Sequence, residues 1–218
     1  MLIVFTVISA KARASLILDQ SRIVMSANNG GMGIVKVDNP TDHDYLIQSW
    51  VSGDHDGVQE ELFVQPPLVK IKAHHKVALH IEAIDAAIAA QKKEKLFQLN
   101  VKEIPKVEKK SGSQLLLVML TKVKILYRPT ALSPEIGNEY KKITWKKSPG
   151  ALQVTNPTPY YVTFSEVWEG HNETHPLDVD MIAPRSTIFI KGYHGSHDIH
   201  YRIINDYGDI SETVHVTL

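Results

Sequence analysis

The chain has 218 residues, with 24 Lys and Arg against 24 Asp and Glu, 11 His and no Cys. That length holds one large domain or two small ones, and either can build a core without cross-links. The absence of cysteine excludes a disulfide framework, a thiol nucleophile and a thiolate-bound metal; zero net charge excludes the basic face that a nucleic-acid partner requires.

The chain opens on an uncharged apolar run, residues 1–10, followed by Lys11-Ala12-Arg13-Ala14. Ten residues are about half of what a transmembrane helix needs. A short apolar region ending in Ala-x-Ala at 12–14 reads as a signal peptide, 1–14, which implies export. No basic residue precedes the run, so a start upstream of Met1 and, as the alternative, a buried N-terminal strand both stay open. Cleavage after Ala14 removes Lys11 and Arg13 and moves the net charge from zero to −2.

Strand signals follow at 16–25, 34–39, 45–51, 62–65, 76–81, 96–104 and 115–126, rich in β-branched, Leu and aromatic residues. Asn28-Asn-Gly-Gly31, Asn39-Pro-Thr-Asp42 and Gly53-Asp-His-Asp-Gly57 separate them with turn chemistry. Gly30-Gly31-Met32-Gly33 opens a strand rather than a helix, which predicts a hairpin turn and no phosphate site. Seven strands at this spacing predict an immunoglobulin-like sandwich. The stretch 84–95, dense in Ala and Lys, is a helix or a loop with one helical turn. Two prolines within 127–134 mark a linker, after which strand signals resume at 143–145, 151–156, 161–167, 186–191, 199–204 and 213–218. The expected fold is all-β, two tandem sandwiches, with no repeat of fixed period.

Catalytic signatures are missing: the chain has no Gly-x-Ser-x-Gly elbow, Walker loop or His-Glu-x-x-His. No enzymatic activity, cofactor or metal is expected. His194, His197 and His200 are spaced by three, but the spacing crosses from a Gly/Ser turn into a strand, where alternation scatters them. His74-His75 and the pair His171 and His175 carry less. Asn172-Glu173-Thr174 is a formal glycosylation sequon.

One segment breaks the alternation rule. Gln114-Leu-Leu-Leu-Val-Met-Leu120 has no charge, Pro or Gly and is apolar on both strand faces. It is either a central strand covered on both sides or an edge strand whose second face meets a partner. Left bare, such an edge invites aggregation. Lys122 and Lys124 then alternate with Val123 and Ile125.

Continued as Thr121-Lys-Val-Lys-Ile-Leu-Tyr-Arg-Pro129, this strand resembles the T-K-I-K-L-F-Y-R-P signature of the PapD-like periplasmic chaperones of the chaperone–usher pilus pathway. Phe63-Val-Gln-Pro-Pro67 resembles the family's Pro-Pro turn, and Lys95-Leu-Phe-Gln-Leu-Asn-Val-Lys-Glu-Ile-Pro105 its S-L-F-x-x-N-x-x-x-I-P. Asn156-Pro-Thr-Pro-Tyr-Tyr-Val-Thr163, Ala183-Pro-Arg-Ser186 and Ile204-Asn-Asp-Tyr-Gly208 are similar to later motifs, so the likeness runs from about Leu16 to Leu218.

The resemblance implies two immunoglobulin-like domains, 15–131 and 132–218, in an L or boomerang arrangement. It implies a periplasmic chaperone that lends pilin or fimbrial subunits a strand by donor-strand complementation and delivers them to an outer-membrane usher. Arg22 and Lys124 fall where the family grips the subunit's C-terminal carboxylate, a role suited to a guanidinium fork beside an ammonium point charge. Leu115, Leu117 and Met119 correspond to the donor-strand residues, and Glu94, Arg128 and Asp206 to an ion triad bridging the domains. Gln91-Lys-Lys-Glu94 departs from the family's P-x-D-R-E. The short stretch 107–113, which Lys106, Lys109 and Lys110 make basic, together with the absent cysteines, resembles the short-loop subclass. Expected partners are subunits and usher, with no nucleic acid, no membrane insertion of the mature chain, and self-capping dimers when no client is present. The competing reading is a tandem Ig-like structural or adhesive protein self-associating through the apolar edge. It needs no carboxylate anchor, so Arg22 with Lys124 discriminates the two.

Overall fold

A computed structural model describes residues 16–53, 61–105, 117–170 and 176–218. The expected signal peptide at 1–14, the expected donor residue Leu115, the lysines Lys106, Lys109 and Lys110, and the 171–175 stretch with its two histidines and sequon lie outside the described residues.

The first sandwich stacks two sheets built from nine strands. In chain order these are β1 (Ile17–Leu18), β2 (Arg22–Ser26), β3 (Met32–Asp38), β4 (Tyr45–Ser52), β5 (Leu62–Gln65), β6 (Leu68–Ile71), β7 (Lys76–Ala83), β8 (Lys95–Pro105) and β9 (Met119–Arg128). One sheet runs β1-β3-β7-β5 and the other β2-β9-β8-β4-β6. Alternation supplies the core: Val35, Val37, Leu79 and Ile81 from the first sheet meet Ile47, Phe97, Leu99, Val101 and Ile125 from the second, all fully buried.

Three local expectations change. The run 16–25 is not one strand but two, because the chain leaves one sheet after Leu18 and enters the other at Arg22. Gly30-Gly31 is not a hairpin turn. With the 3-10 turn Ala27–Asn29 it carries the chain from β2 to β3 in the opposite sheet, and both glycines adopt positive φ, 85° and 64°. The 127–134 linker starts later than expected, since Tyr127 and Arg128 are buried β9 residues paired with β8 and β2. The 84–95 region forms one helical turn, α1 (Ala86–Ala89), capped by the Asp85 side chain on the Ala87 N–H at 2.8 Å.

The second sandwich contains β10 (Thr144–Ser148), β11 (Ala151–Asn156), β12 (Val162–Glu169), β13 (Met181–Ile182), β14 (Ser186–Lys191), β15 (Asp198–Ile203) and β16 (Val214–Thr217). Its sheets run β10-β11-β14 and β13-β12-β15-β16. Trp145, Phe164 and Tyr201 pack with ring centroids 5.3–5.8 Å apart at its centre. Burial pushes the Tyr201 phenol up to about 12, and its hydroxyl donates to the Tyr140 carbonyl.

The two sandwiches share a turn. In Asn39-Pro-Thr41, the Asn39 Nδ2 donates to the His43 and Lys72 carbonyls at 2.7 and 3.0 Å while its Oδ1 accepts from the Thr41 N–H and hydroxyl. In Asn156-Pro-Thr158 the same four bonds recur, to the Tyr160 and Ala183 carbonyls and from Thr158. Each asparagine is completely buried and bridges the two chains just beyond the end of a short antiparallel ladder, β4 with β6 for Asn39 and β12 with β13 for Asn156.

Candidate functional site

The site begins with an unusual pairing. β2 lies parallel to β9, in register Arg22↔Lys124 through Ser26↔Arg128. Upstream of Arg22 the chain has crossed to the other sheet, so Met119–Val123 of β9 pairs with β8 alone among the described residues. Its other backbone edge is open. A groove of about 490 Å³ runs along it, walled by Leu16–Ser21 on one side and Thr121–Val123 on the other.

Of the donor residues that sequence identified, Leu117 and Met119 are 69% and 53% exposed; Val118 and Leu120 are exposed as well. From Val123 onward the odd-numbered side chains enter the core, so Leu117 and Met119 continue the core-facing row beyond the end of the sandwich. The described part of the apolar run, 117–120, is exposed on both faces rather than covered as a central strand would be.

At the inner end of that open edge a polar row crosses three strands. Gln98 on β8 stands opposite Lys124 on β9, which stands opposite Arg22 on β2. Arg22 is only 8% exposed. Its Nη1 donates to the Ile204 carbonyl at 2.9 Å, whereas its buried Nε and the buried Oε1 of Gln98 have no partner among the described residues. Burial pulls the Arg22 guanidinium below its ordinary value, against the opposing pull of Asp206, Glu94 and Asp180. A buried cation with an unsatisfied donor costs free energy until a partner reaches it. Lys124 Nζ donates to both oxygens of Asp180, at 3.0 and 2.8 Å.

The second sandwich supplies the far wall through the turn between β15 and β16. The Asn205 Oδ1 accepts the Tyr207 and Asp209 N–H groups, and Gly208 closes the turn at φ 89°. A Cβ on Gly208 would sit 3.0 Å from Ser21 Oγ, so only glycine lets this turn approach the first sandwich without displacing Ser21. So held, the turn presents the Ile204 carbonyl to Arg22 and the Asp206 carboxylate to Arg128.

Glu94, Arg128 and Asp206 are brought together. Arg128, fully buried, donates from Nε to Glu94 at 2.7 Å and from Nη1 and Nη2 to Asp206 at 2.8 and 2.6 Å. Glu94 also accepts the Tyr161 N–H and Asp206 the Ile136 N–H. Burial works against the Arg128 charge, but the two carboxylates outweigh it and push the guanidinium up.

The three spaced histidines go to different surroundings. His194 bonds Glu169 at 2.7 Å, His197 meets Lys147, and His200 stacks between Trp168 and His215. No group of potential metal ligands, and no helix long and apolar enough to cross a membrane, occurs among the described residues.

Sequence reading missed Asp180, Gln98 and the Ile204 carbonyl. Gln98 carried a signal, lying one strand from Lys124 in a polar register. Asp180 carried none, being an ordinary acid more than fifty residues away.

Family models match both halves of the chain: a pili and flagellar-assembly chaperone PapD N-terminal domain over residues 15–133, and a pili assembly chaperone PapD C-terminal domain over 138–215. The chain belongs to the PapD-like pilus assembly chaperones. The chaperone protein FimC of Escherichia coli K12 is 32% identical over 94% of this chaperone and 85% of its own length. The chaperone protein FimB/FhaD of Bordetella pertussis is 31% identical over 92% and 87%. The chaperone shares its fold with a chain of the Salmonella enterica SafA pilin–SafB chaperone complex, at TM-score 0.84, 23% identity, and 96% and 99% coverage.

Proposed function

We propose that this chain is a non-enzymatic periplasmic chaperone that holds pilin subunits by donor-strand complementation and hands them to an outer-membrane usher, with its domains divided at 131/132. The observation that carries the reading is the Arg22–Lys124 pair at the inner end of an unpaired apolar edge. An incomplete subunit brought beside Met119–Val123 gains backbone bonds from the open edge and buries Leu117 and Met119 in its own core. If its C-terminal carboxylate is to reach the two cations, the subunit's last strand must run parallel to β9, towards Lys124. Arg22 then obtains the anion its buried Nε lacks. The triad of Glu94, Arg128 and Asp206 holds the wall that carries Ile204 at a fixed distance from Arg22.

The test is capture. Co-expressed with its cognate subunit, Arg22→Ala or Lys124→Ala is expected to lose co-purification while keeping the wild-type circular dichroism spectrum. Each truncation removes a charge-assisted bond of about 1.5–3 kcal/mol, roughly 10- to 150-fold in affinity. Undiminished capture by both variants sinks the reading. An adhesive protein that merely self-associates would capture no subunit, as wild type or as either variant.

A further inference from the structure

We infer that Asp180 is a built-in stand-in for the client's carboxylate, occupying Lys124 in the empty chaperone and setting how readily a carboxylate-bearing chain end is accepted. The inference rests on the anchoring role of Arg22 and Lys124 proposed above.

The geometry is that of a bound carboxylate. Both Asp180 oxygens accept from one ammonium, at 3.0 and 2.8 Å. The same charge also acts on Arg22, so a single carboxylate lies in the field of both cations, as a client's would. Its placement is not accidental side-chain reach. The Asp180 backbone carbonyl accepts the Phe164 N–H at 2.8 Å, immediately before β13, which ties its Cα to the second sandwich's sheet.

The contact is nevertheless weak. The Asp180 side chain is 74% exposed and its carboxylate accepts from Lys124 alone among the described residues, whereas Lys124 is 32% exposed. Exposed pairs of this kind contribute little. Arg22 is different: it is dry, and Asp180 leaves its Nε unbonded. A client carboxylate that reaches both cations therefore outcompetes an internal one that bonds only the outer. A chain end that offers charge without an apolar strand gains only the exchange of one carboxylate for another. Asp180 thus lowers the affinity for bare carboxylates and leaves discrimination to the strand edge.

The experiment titrates the full-length mature chaperone with a short labelled peptide of alternating Thr and Val, as the free acid and as the C-terminal amide, read by fluorescence anisotropy. Asp180→Asn is expected to tighten the free acid about two- to fivefold and to leave the amide unchanged. In a Lys124→Met background the same substitution should tighten the acid less than it does in the wild type, because the bonded partner of Asp180 is gone and only its field at Arg22 is left. Unaltered or weaker binding of the acid by Asp180→Asn overturns the inference, the latter outcome marking Asp180 as a group that orients Lys124. Equal binding of acid and amide by the wild type is a separate failure. It removes the carboxylate site itself, and the stand-in with it.

Discussion

Replacing Arg128 with alanine would take a fully buried guanidinium out from between two carboxylates. Glu94 keeps only the Tyr161 N–H and Asp206 only the Ile136 N–H, while the side chains are 0% and 13% exposed. Neither acid can recover its hydration without opening the junction. Removing one partner of a buried pair costs about 3–5 kcal/mol, against a typical total stability of about 5–15. For a chain of this size each kcal/mol moves the midpoint by about 2–4 °C, giving a loss of roughly 6–20 °C. Thermal and urea unfolding followed by circular dichroism should show that loss. Because Glu94 belongs to the first sandwich and Asp206 to the second, the transition should also separate into two. The triple variant Arg128→Met with Glu94→Gln and Asp206→Asn leaves no charge stranded and should be markedly milder. A loss below about 1 kcal/mol for Arg128→Ala, or a triple variant as unstable as the single, refutes the reasoning.

Asn39→Ala and Asn156→Ala each remove four bonds of about 1 kcal/mol from a buried turn, so each should cost about 3–4 kcal/mol in urea unfolding. Gly33→Ala places a Cβ 3.0 Å from Ile23 Cγ2 and 3.1 Å from Met25 Cγ, and should cost about 1–3 kcal/mol by the same measurement. At Glu169, burial pushes the carboxyl up, but the His194 N–H, the His194 ring and the Ser196 N–H outweigh it and hold it below its ordinary range. Its stabilisation is therefore present above the unfolded value and lost as pH falls through the folded one. Glu169→Gln should cost about 2 kcal/mol at pH 7, with the gap to wild type closing below about pH 4.

Strand existence was largely legible, because a half-buried strand writes a period of two into its own residues, as Phe97, Leu99 and Val101 do. Partners were not. β2 pairs with a strand about a hundred residues away, and nothing in 16–25 announces that the chain changes sheets at Asp19–Ser21. β13, two residues long, is too short for alternation to be read, and β6 follows directly on Pro66-Pro67, which read as a turn. The exposed apolar run was visible as a broken rule, yet its being an edge followed only from where β2 starts. Arg22 and Lys124 could be singled out only through resemblance; as bare residues they are two cations among 24. Asp180 acquires meaning solely from the fold that brings it to Lys124.

The parallel run of β2 along β9 also acts as a ruler. From Lys124 onward the line beside β9 is already occupied by Arg22–Ser26, so an incoming strand is collinear with β2 and ends where β2 begins. Under the docking proposed above its last residue would meet a blunt stop, and every earlier residue would be counted back from it in steps of about 3.3 Å. A client lengthened by one residue would not slide smoothly. To keep its terminus at the stop it would turn every side chain to the opposite face. The parity of a client's tail, as much as its composition, is thus measured by the point at which a strand of the chaperone's own begins.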